Sequence, residues 1–164
     1  MAPEAVTGLE RLKDRPEAAC LLAWNEGAVK EAKFDRDELT LWLDRTFLRE
    51  ACLTLKNSPQ LQYNFLSDVT CVDWYPNEPR FEVVYHLLSI PNKRRVRLKV
   101  WLAGDDASLD SLVPIWPGAD YFEREVFDLF GVRFDQHPNL KRILMPENWE
   151  GYPLRKDYPV EGYR

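Results

Sequence analysis

The sequence predicts an α+β fold, in which helices pack on a mostly antiparallel sheet and a long extended C-terminal arm follows. Three observations indicate this class. Helix-like and strand-like segments alternate, three strand-like runs in the middle are joined by short turns, and the last part of the chain follows neither period. A length of 164 residues, with 45% hydrophobic and 30% charged residues, is typical of one globular domain.

The first third of the chain predicts short helices, two strands and a longer helix. Leucines and alanines between Thr7 and Leu22 have helical spacing, interrupted at Pro16. Residues 28–44 then predict one weak strand and one stronger, alternating strand. Asp44 suits the N-cap of a helix that ends before Pro59. The predicted buried face of this helix comprises Leu48, Ala51, Cys52 and Leu55.

The middle of the chain predicts an antiparallel sheet. Strand-like runs cover residues 68–76, 80–90 and 95–102, and the spacers "NEP" and "PNKR" are short enough for hairpins. Apolar residues alternate cleanly in the last run, so one face of this sheet is expected in the core and the other nearer to solvent. The alternating residues are Val96, Leu98, Val100 and Leu102.

A second long helix precedes the arm. It is predicted from about Ala119 to Phe130, with Gly131 as the residue that ends it. From Val132 to Arg164 no period holds, although aromatic and aliphatic side chains are frequent. An aperiodic run of this length is usually functional or ordered by something else. We therefore divide the chain into an α+β domain, residues 1–131, and a docking arm, residues 132–164.

Composition and missing motifs argue against several functions. The net charge of −5 disfavours a nucleic-acid binder, and the basic run at residues 93–99 is interpreted as a solvated hairpin tip and strand face. Cys20, Cys52 and Cys71 lack the spacing of a disulfide framework or a metal site. No signal peptide, membrane helix, nucleotide-binding loop or hydrolase motif is found.

Charged residues and a histidine are the candidates for chemistry. Arg124 and Asp128 are four residues apart on the second long helix and can pair. His137 precedes Pro138 and is expected to make hydrogen bonds or contact a partner. The alternative is a stand-alone enzyme that uses His137 with Glu123 or Asp128 as acid and base.

The arm itself has the composition of an interface. It mixes arginine and lysine with large aromatic and aliphatic side chains, which dominate binding hot spots. These residues are Arg142, Trp149, Tyr152, Leu154, Arg155, Lys156 and Tyr158. Its prolines reduce the entropy lost on docking. An arm that folds back on its own domain is the alternative.

Four consecutive motifs resemble one known family. They are "EREVFDLFG" at residues 123–131, His137-Pro138, "KRIL" at residues 141–144 and "PLRKDYP" at residues 153–159. Together they resemble the signature of the 30 kDa subunit family of NADH:quinone oxidoreductase, respiratory complex I.

The resemblance implies a non-redox structural subunit of the hydrophilic arm of that complex. It would dock on the quinone-site subunit, beside the cluster-bearing subunits. FMN, iron–sulfur clusters, NADH and quinone would be bound by other subunits, and no catalytic residue, cofactor or metal is expected in this chain. The complex would hold it at the cytoplasmic side of the bacterial inner membrane. The equivalent scaffold subunit of a related membrane-bound hydrogenase or dehydrogenase is the alternative.

The resemblance also implies which residues bind the partner. Arg124 and Asp128 are expected in a buried ion-pair network, and Gly131 is expected to turn the chain out of the helix. The full set of expected partner-binding residues is Glu123, Arg124, Asp128, Gly131, His137, Pro138, Arg142, Trp149, Gly151, Arg155, Lys156 and Asp157.

Overall fold

A computed structural model describes residues 5–162 and confirms the α+β class. The elements in chain order are β1 (Val6–Thr7), α1 (Leu9–Leu12), α2 (Pro16–Trp24), β2 (Val29–Asp35), β3 (Glu38–Leu43), α3 (Leu48–Asn57), β4 (Phe65–Asp73), β5 (Phe81–Ser89), β6 (Arg94–Leu102), β7 (Ser108–Asp110), α4 (Ala119–Phe130) and β8 (Arg133–Asp135). In the part of the chain that is described, no helix is long and apolar enough to cross a membrane.

The chain forms two compact units. The first contains the residues up to Asp68 together with Val84–Val100, and the second contains Val69–Val83 together with the residues from Trp101 onward. The second unit therefore includes the end of β4 from Val69, the start of β5 up to Val83 and the end of β6 from Trp101. Neither unit begins or ends at Gly131. The proposed boundary between an α+β domain and a docking arm therefore stays a prediction.

The main sheet is mixed. Its strand order is β1-β2-β3-β6-β5-β4. β1, β2 and β3 are antiparallel neighbours, and the turn at residues 90–93 is too short to join β5 and β6 in any other way than as an antiparallel hairpin. β3 and β6, however, run parallel, in a register from Leu39 opposite Val96 to Leu43 opposite Val100.

Within the first unit, α2 packs against α3 and β2. All four residues of the predicted apolar face of α3 are buried, as predicted. Asp44 is a cap, but of a short 3-10 turn at Arg45–Phe47 that precedes α3, where its carboxylate accepts the Thr46 N–H at 2.9 Å. Two short helices are found on either side of the predicted interruption: α1 ends at Leu12 and Pro16 begins α2, because a missing N–H costs nothing at the first helical position.

The second unit contains α4 with the bounds predicted for it, and a pair of strands that was not predicted. β7 and β8 pair in parallel from Ser108 opposite Arg133 to Asp110 opposite Asp135. β8 lies inside the run expected to be free of regular structure. Residues 136–162, called the C-terminal segment below, contain turns and bends but neither helix nor strand. Tyr163 and Arg164, the end of the predicted arm, lie outside the described residues.

Candidate functional site

The C-terminal segment does not leave its own unit as a long extended arm. The N–H of Leu154 donates to the carbonyl of Leu129 on α4 at 3.0 Å, and the N–H of Lys156 donates to the Asp73 carboxylate of β4 at 2.8 Å. Side chains of α4 satisfy further backbone groups of the segment. An irregular chain must place its N–H and C=O groups somewhere, and here two buried carboxylates organise them.

Asp128 is the first of these carboxylates, and its side chain is fully buried in α4. One oxygen accepts the guanidinium of Arg142 at 2.6 Å. The other accepts three successive backbone N–H groups, from Ile143 at 3.0 Å and from Leu144 and Met145 at 2.8 Å each. One carboxylate thus fixes the turn at residues 142–145.

Arg142 extends this network to the next turn. Its guanidinium also donates to the carbonyls of Trp149 and Gly151, both at 3.0 Å, and lies over the Tyr152 ring. A planar guanidinium with five donors can join several acceptors in this way, whereas an ammonium cannot do so in one plane. Arg142 therefore links α4 to two separate stretches of the segment.

The ionisation of Asp128 follows from these contacts. Burial alone would raise the pKa of this carboxyl group. The Met145 N–H, the Arg142 guanidinium and the N–H groups of Ile143 and Leu144 outweigh burial, and they hold the pKa of Asp128 below its usual range. The carboxylate is therefore charged whenever the segment is in place.

Arg124 does not form the ion pair with Asp128 that the helical spacing predicted. The spacing predicted an ion pair between Arg124 and Asp128, but the buried pair is formed by Asp128 and Arg142. Arg124 instead donates to the carbonyls of Lys141 and Arg142, at 3.2 and 3.3 Å, and lies 3.8 Å from Asp120 one turn earlier. Asp128 turns to the segment because four donors converge there, more than one helical neighbour can supply.

Asp73 is the second buried carboxylate, and no sequence pattern points to it. Arg80 donates to both of its oxygens, at 2.9 and 2.8 Å, and the N–H groups of Tyr75 and Lys156 add two more bonds. Arg80 also holds both oxygens of Asp157, at 3.0 and 2.6 Å. One arginine thus bridges β4 to the end of the segment by two bidentate pairs.

The pKa values reflect this bridge. Burial would raise the pKa of Asp73, but its bonds to Arg80, Lys156 and Tyr75 lower it below the usual range. The hydrogen bonds that Arg80 donates to Asp73 and Asp157 raise the pKa of Arg80. The bond from Arg80 is the main reason why the pKa of Asp157 is lowered.

Gly131 has the predicted role at the end of α4, and the structure adds a second reason for glycine. Its φ of 75° lies in the left-handed region. A Cβ at this position would lie 2.6 Å from both the Arg155 guanidinium and the Tyr152 ring. Arg155 itself donates to the carbonyl of Phe130 at 2.6 Å. Gly131 thus leaves room for the segment to cover the helix end.

His137 belongs to a third buried cluster in the second unit. The Asn139 N–H donates to Nδ1 at 3.0 Å, so Nε2 carries the ring proton and faces the Asp120 carbonyl at 3.3 Å. The same Nε2 lies 3.9 Å from the Glu123 carboxyl group. The His137 side chain is fully buried. The predicted alternative of an acid–base pair with Asp128 has no such proximity, whereas the pair with Glu123 does.

Glu123 is fully buried between Ser111 and Leu112. The Ser111 hydroxyl and the Leu112 N–H donate to its two oxygens, each at 2.6 Å. Burial raises the pKa of Glu123 to about 7, and the nearby Asp120 adds to the rise, while the two donors oppose it. The carboxyl group therefore changes its charge near neutral pH.

The other predicted partner-binding residues differ in exposure. Pro138, Trp149 and Lys156 are exposed. Gly151, with φ 77°, contributes its carbonyl to Arg142. Across residues 5–162, no group of three or more histidine, cysteine, aspartate or glutamate side chains is placed to hold a metal ion.

The segment exposes large apolar side chains among its exposed charged and polar residues. Leu144 is 59% exposed and Leu154 is 51% exposed, and Val160 is fully exposed. Near its end an open cavity of about 400 Å³ is lined mainly by Trp149, Pro153, Tyr158, Pro159 and Val160. We call the exposed residues Leu144, Trp149, Leu154 and Val160 the apolar face of the segment.

Comparison with known proteins identifies the family. Residues 41–164 match the family described as respiratory-chain NADH dehydrogenase, 30 Kd subunit. A subunit of NADH-quinone oxidoreductase from Roseiflexus sp. strain RS-1 is 44% identical over 160 residues, which cover 98% of this chain and 87% of that protein. The corresponding subunit from Geobacter sulfurreducens is 51% identical over 136 residues, which cover 82% of this chain and 83% of that protein.

Two solved structures are also similar. A trypsin-resistant fragment (1-134) of Nqo5 has a TM-score of 0.58 and 33% identity, covering 63% of this chain and 83% of the fragment. A chain of the membrane-bound sulfane sulfur reductase, an archaeal respiratory membrane complex, has a TM-score of 0.70 and 27% identity, covering 85% of this chain and 82% of that chain. These matches confirm the predicted resemblance: the chain belongs to the 30 kDa subunit family of the respiratory-chain NADH dehydrogenase.

Proposed function

We propose that this chain is a non-redox structural subunit of the hydrophilic arm of proton-translocating NADH:quinone oxidoreductase, and that its C-terminal segment docks on the quinone-site subunit. Family membership supports a place in the complex, since the relatives are named as subunits of that oxidoreductase. Under this proposal the other partners are the cluster-bearing subunits. FMN, the iron–sulfur clusters, NADH and quinone are bound by other chains.

The observation that carries the proposal is the two-sided character of the C-terminal segment. On its inner side Asp73 and Asp128 satisfy backbone groups and fix an irregular conformation. On its outer side the residues of the apolar face are exposed, and two of them, Trp149 and Val160, line the open cavity of about 400 Å³. A rigid segment that displays aromatic and aliphatic side chains loses little entropy on binding, and this is the usual design of a docking surface.

Arg142 and Arg155 take a different role from the one first expected for them. Their guanidinium groups are engaged inside the second unit, with Asp128 and with the Phe130 carbonyl. They therefore shape the surface from beneath, while the apolar face makes the direct contact. A subunit of this kind supports catalysis by fixing distances between redox centres, and it needs no reacting group of its own.

The proposal also gives a location. The chain would be a peripheral protein on the cytoplasmic side of the bacterial inner membrane, held there by the partners on which it docks.

A second candidate is the equivalent subunit of a related respiratory complex. The similarity to a chain of the membrane-bound sulfane sulfur reductase, with a TM-score of 0.70, favours it, because a chain of similar architecture belongs there to a different respiratory membrane complex. The docking role is common to both candidates. They differ in which electron-input subunits accompany the chain.

Purification from native membranes tests the proposal. The tagged chain is isolated after gentle detergent solubilisation, its partners are identified by mass spectrometry, and NADH:quinone activity is assayed in the eluate. Recovery of flavin, iron–sulfur and quinone-site subunits with that activity is expected. A nickel–iron subunit or a sulfur reductase in their place would move the chain to the related complexes. A chain without partners that turns over a substrate would return the function to His137 and Glu123.

A further inference from the structure

The first unit contains a cavity of about 520 Å³ with a strongly basic lining. Three separate parts of the chain bring cations to it: Arg15 immediately before α2, Arg36 in the β2–β3 turn, and Lys93, Arg94 and Arg95 around the β5–β6 turn. The sequence interpretation treated residues 93–99 as a solvated hairpin tip. Arg15 and Arg36 are too distant in the sequence to be recognised as part of the same cluster.

Two tight turns fix the positions of these cations. Arg36 and Asp37 have φ values of 51° and 62°, and Lys93 has a φ of 52°. Positive φ at two successive residues is the geometry of a short hairpin turn, which keeps its flanking strands in close register. The side chains of Arg36 and Lys93 therefore extend from turns whose positions are fixed by the flanking strands.

The carboxylates in the cavity wall leave a surplus of positive charge. Glu17 accepts the Tyr63 hydroxyl at 2.7 Å and lies 3.5 Å from Arg94, so it is already satisfied. Glu38 is paired with Arg97, which is outside the cavity. Within residues 5–162 the side chains of the exposed residues Arg36, Lys93 and Arg95 form no ion pair or hydrogen bond. In a chain with a net charge of −5, this surplus is a local property.

Apolar groups complete the lining. The Arg15 guanidinium lies 3.7 Å from the centre of the Phe34 ring, and Leu39 contributes to the same wall. A ligand that fits must therefore be anionic and must also carry some aliphatic or aromatic surface. The net charge of −5 disfavours a nucleic-acid backbone as the ligand.

We propose that this cavity binds an acidic, extended segment of another subunit of the same complex. Carboxylates of this acidic partner segment pair with Arg36 and Arg95, because guanidinium forks match carboxylates in bidentate geometry. The ammonium group of Lys93 adds a third positive charge. The inference rests on the proposed function in one respect, that the chain works inside a multisubunit assembly. It adds an interface in the first unit that is independent of the C-terminal segment.

The purified chain provides the first test. Hexaglutamate carrying a fluorophore is titrated at about 0.15 M ionic strength, and its binding is followed by anisotropy. The double variant Arg36→Glu/Arg95→Glu is expected to weaken binding by about tenfold or more, since both charges reverse. The matched control Arg11→Glu/Lys13→Glu reverses two exposed cations outside the cavity and should leave binding unchanged. Equal losses in both variants, no binding at this ionic strength, or easy displacement of the peptide by inorganic phosphate would overturn the proposal.

The assembled complex provides the second test. A photo-crosslinking amino acid replaces Lys93 in the full chain, and the crosslinked peptide is sequenced after irradiation. We expect a peptide of net negative charge from another subunit. A crosslink to a neutral or basic peptide, to lipid, or only within this chain would overturn the proposal. If the chain does not join the oxidoreductase at all, the proposed function fails, while hexaglutamate binding still decides whether the cavity is a site for acidic peptide.

Discussion

At the scale of single residues, two buried carboxylates give the C-terminal segment its conformation. Asp128 accepts three successive backbone N–H groups and one guanidinium, and Asp73 accepts two backbone N–H groups and a bidentate arginine. Removing one partner from such a buried pair usually costs about 3–5 kcal/mol, because a desolvated charge is left unpaired. All donors to Asp128 lie in the segment, so the cost of burying this carboxylate is offset only when the segment is in place, whereas Asp73 also has the donors Arg80 and Tyr75.

Gly131 allows a sharp test at this scale. Gly131→Ala is expected to lower the free energy of unfolding by about 2–4 kcal/mol, because an alanine at φ 75° is strained and its Cβ meets Arg155 and Tyr152. The measurement is urea denaturation of the purified chain. Gly118→Ala is the control, since a Cβ there has no neighbour within 4 Å and the backbone is already helical. Equal effects of the two substitutions would contradict the packing described at Gly131.

Glu123 predicts a pH dependence of stability. Its folded pKa of about 7 lies above the ordinary value of 4.5, so below pH 4.5 the carboxyl group is protonated in both states and imposes no cost. Above pH 7 the folded chain buries the anion, and between pH 4.5 and 7 the unfolded chain is ionised while the folded chain still holds its proton. Stability should therefore fall by about 3 kcal/mol over this range.

The comparison with Glu123→Gln isolates this effect. The difference in unfolding free energy between variant and parent should shift in favour of the variant between about pH 5 and pH 8. Taking the difference cancels the other titrating groups, such as His86, whose pKa is lowered by burial. Glu125→Gln, at an exposed position of the same helix, should give a flat difference. A flat difference for Glu123→Gln as well would show that the buried carboxyl group does not titrate in this range.

At the scale of elements, the segment is held by two separate sets of hydrogen bonds, which we call clasps. One is Asp128 with the N–H groups of residues 143–145, and the other is Asp73 with the N–H of Lys156. Hydrogen exchange under native conditions can distinguish them. Asp128→Asn should speed exchange of the Met145 amide by about tenfold or more and leave exchange of the Lys156 amide unchanged. Asp73→Asn should speed exchange of the Lys156 amide and leave the Met145 amide unchanged. If both amides responded alike in both variants, the segment would be one cooperative unit.

The elements that local sequence patterns specify were predictable. α4 was predicted with its full bounds, and the buried face of α3 was confirmed, because helical spacing and caps are local signals. The parallel pairing of β3 with β6 was not, since it joins strands far apart in the chain. β7 and β8 have three residues each, which is too short for alternation to be detected.

The contacts that order the C-terminal segment were not predictable from sequence spacing. The motifs identified the C-terminal segment, yet the pairing of Arg124 with Asp128 followed a rule about neighbours on one helix. The actual partner, Arg142, is brought to Asp128 by the fold, as Arg80 is brought to Asp157. Sequence spacing carries no information about such contacts. The basic cavity of the first unit was missed for the same reason.

At the scale of the whole molecule, membership in the 30 kDa subunit family makes assembly with other subunits the property to test. We propose that the apolar face of the C-terminal segment docks on the quinone-site subunit. Leu144 and Leu154 are suitable probes, because their side chains are largely exposed and their replacement leaves both clasps intact.

The most direct measurement is co-purification of the quinone-site subunit with Leu144→Ser/Leu154→Ser at limiting expression. Two anchors lost from an interface should reduce recovery of that subunit by about tenfold or more, while the unfolding midpoint of the purified chain stays unchanged. The control Phe65→Ser/Ile90→Ser removes two apolar side chains of similar exposure from the first unit. We expect loss of assembly for the first pair and normal assembly for the control. Normal recovery of the quinone-site subunit with Leu144→Ser/Leu154→Ser would contradict it.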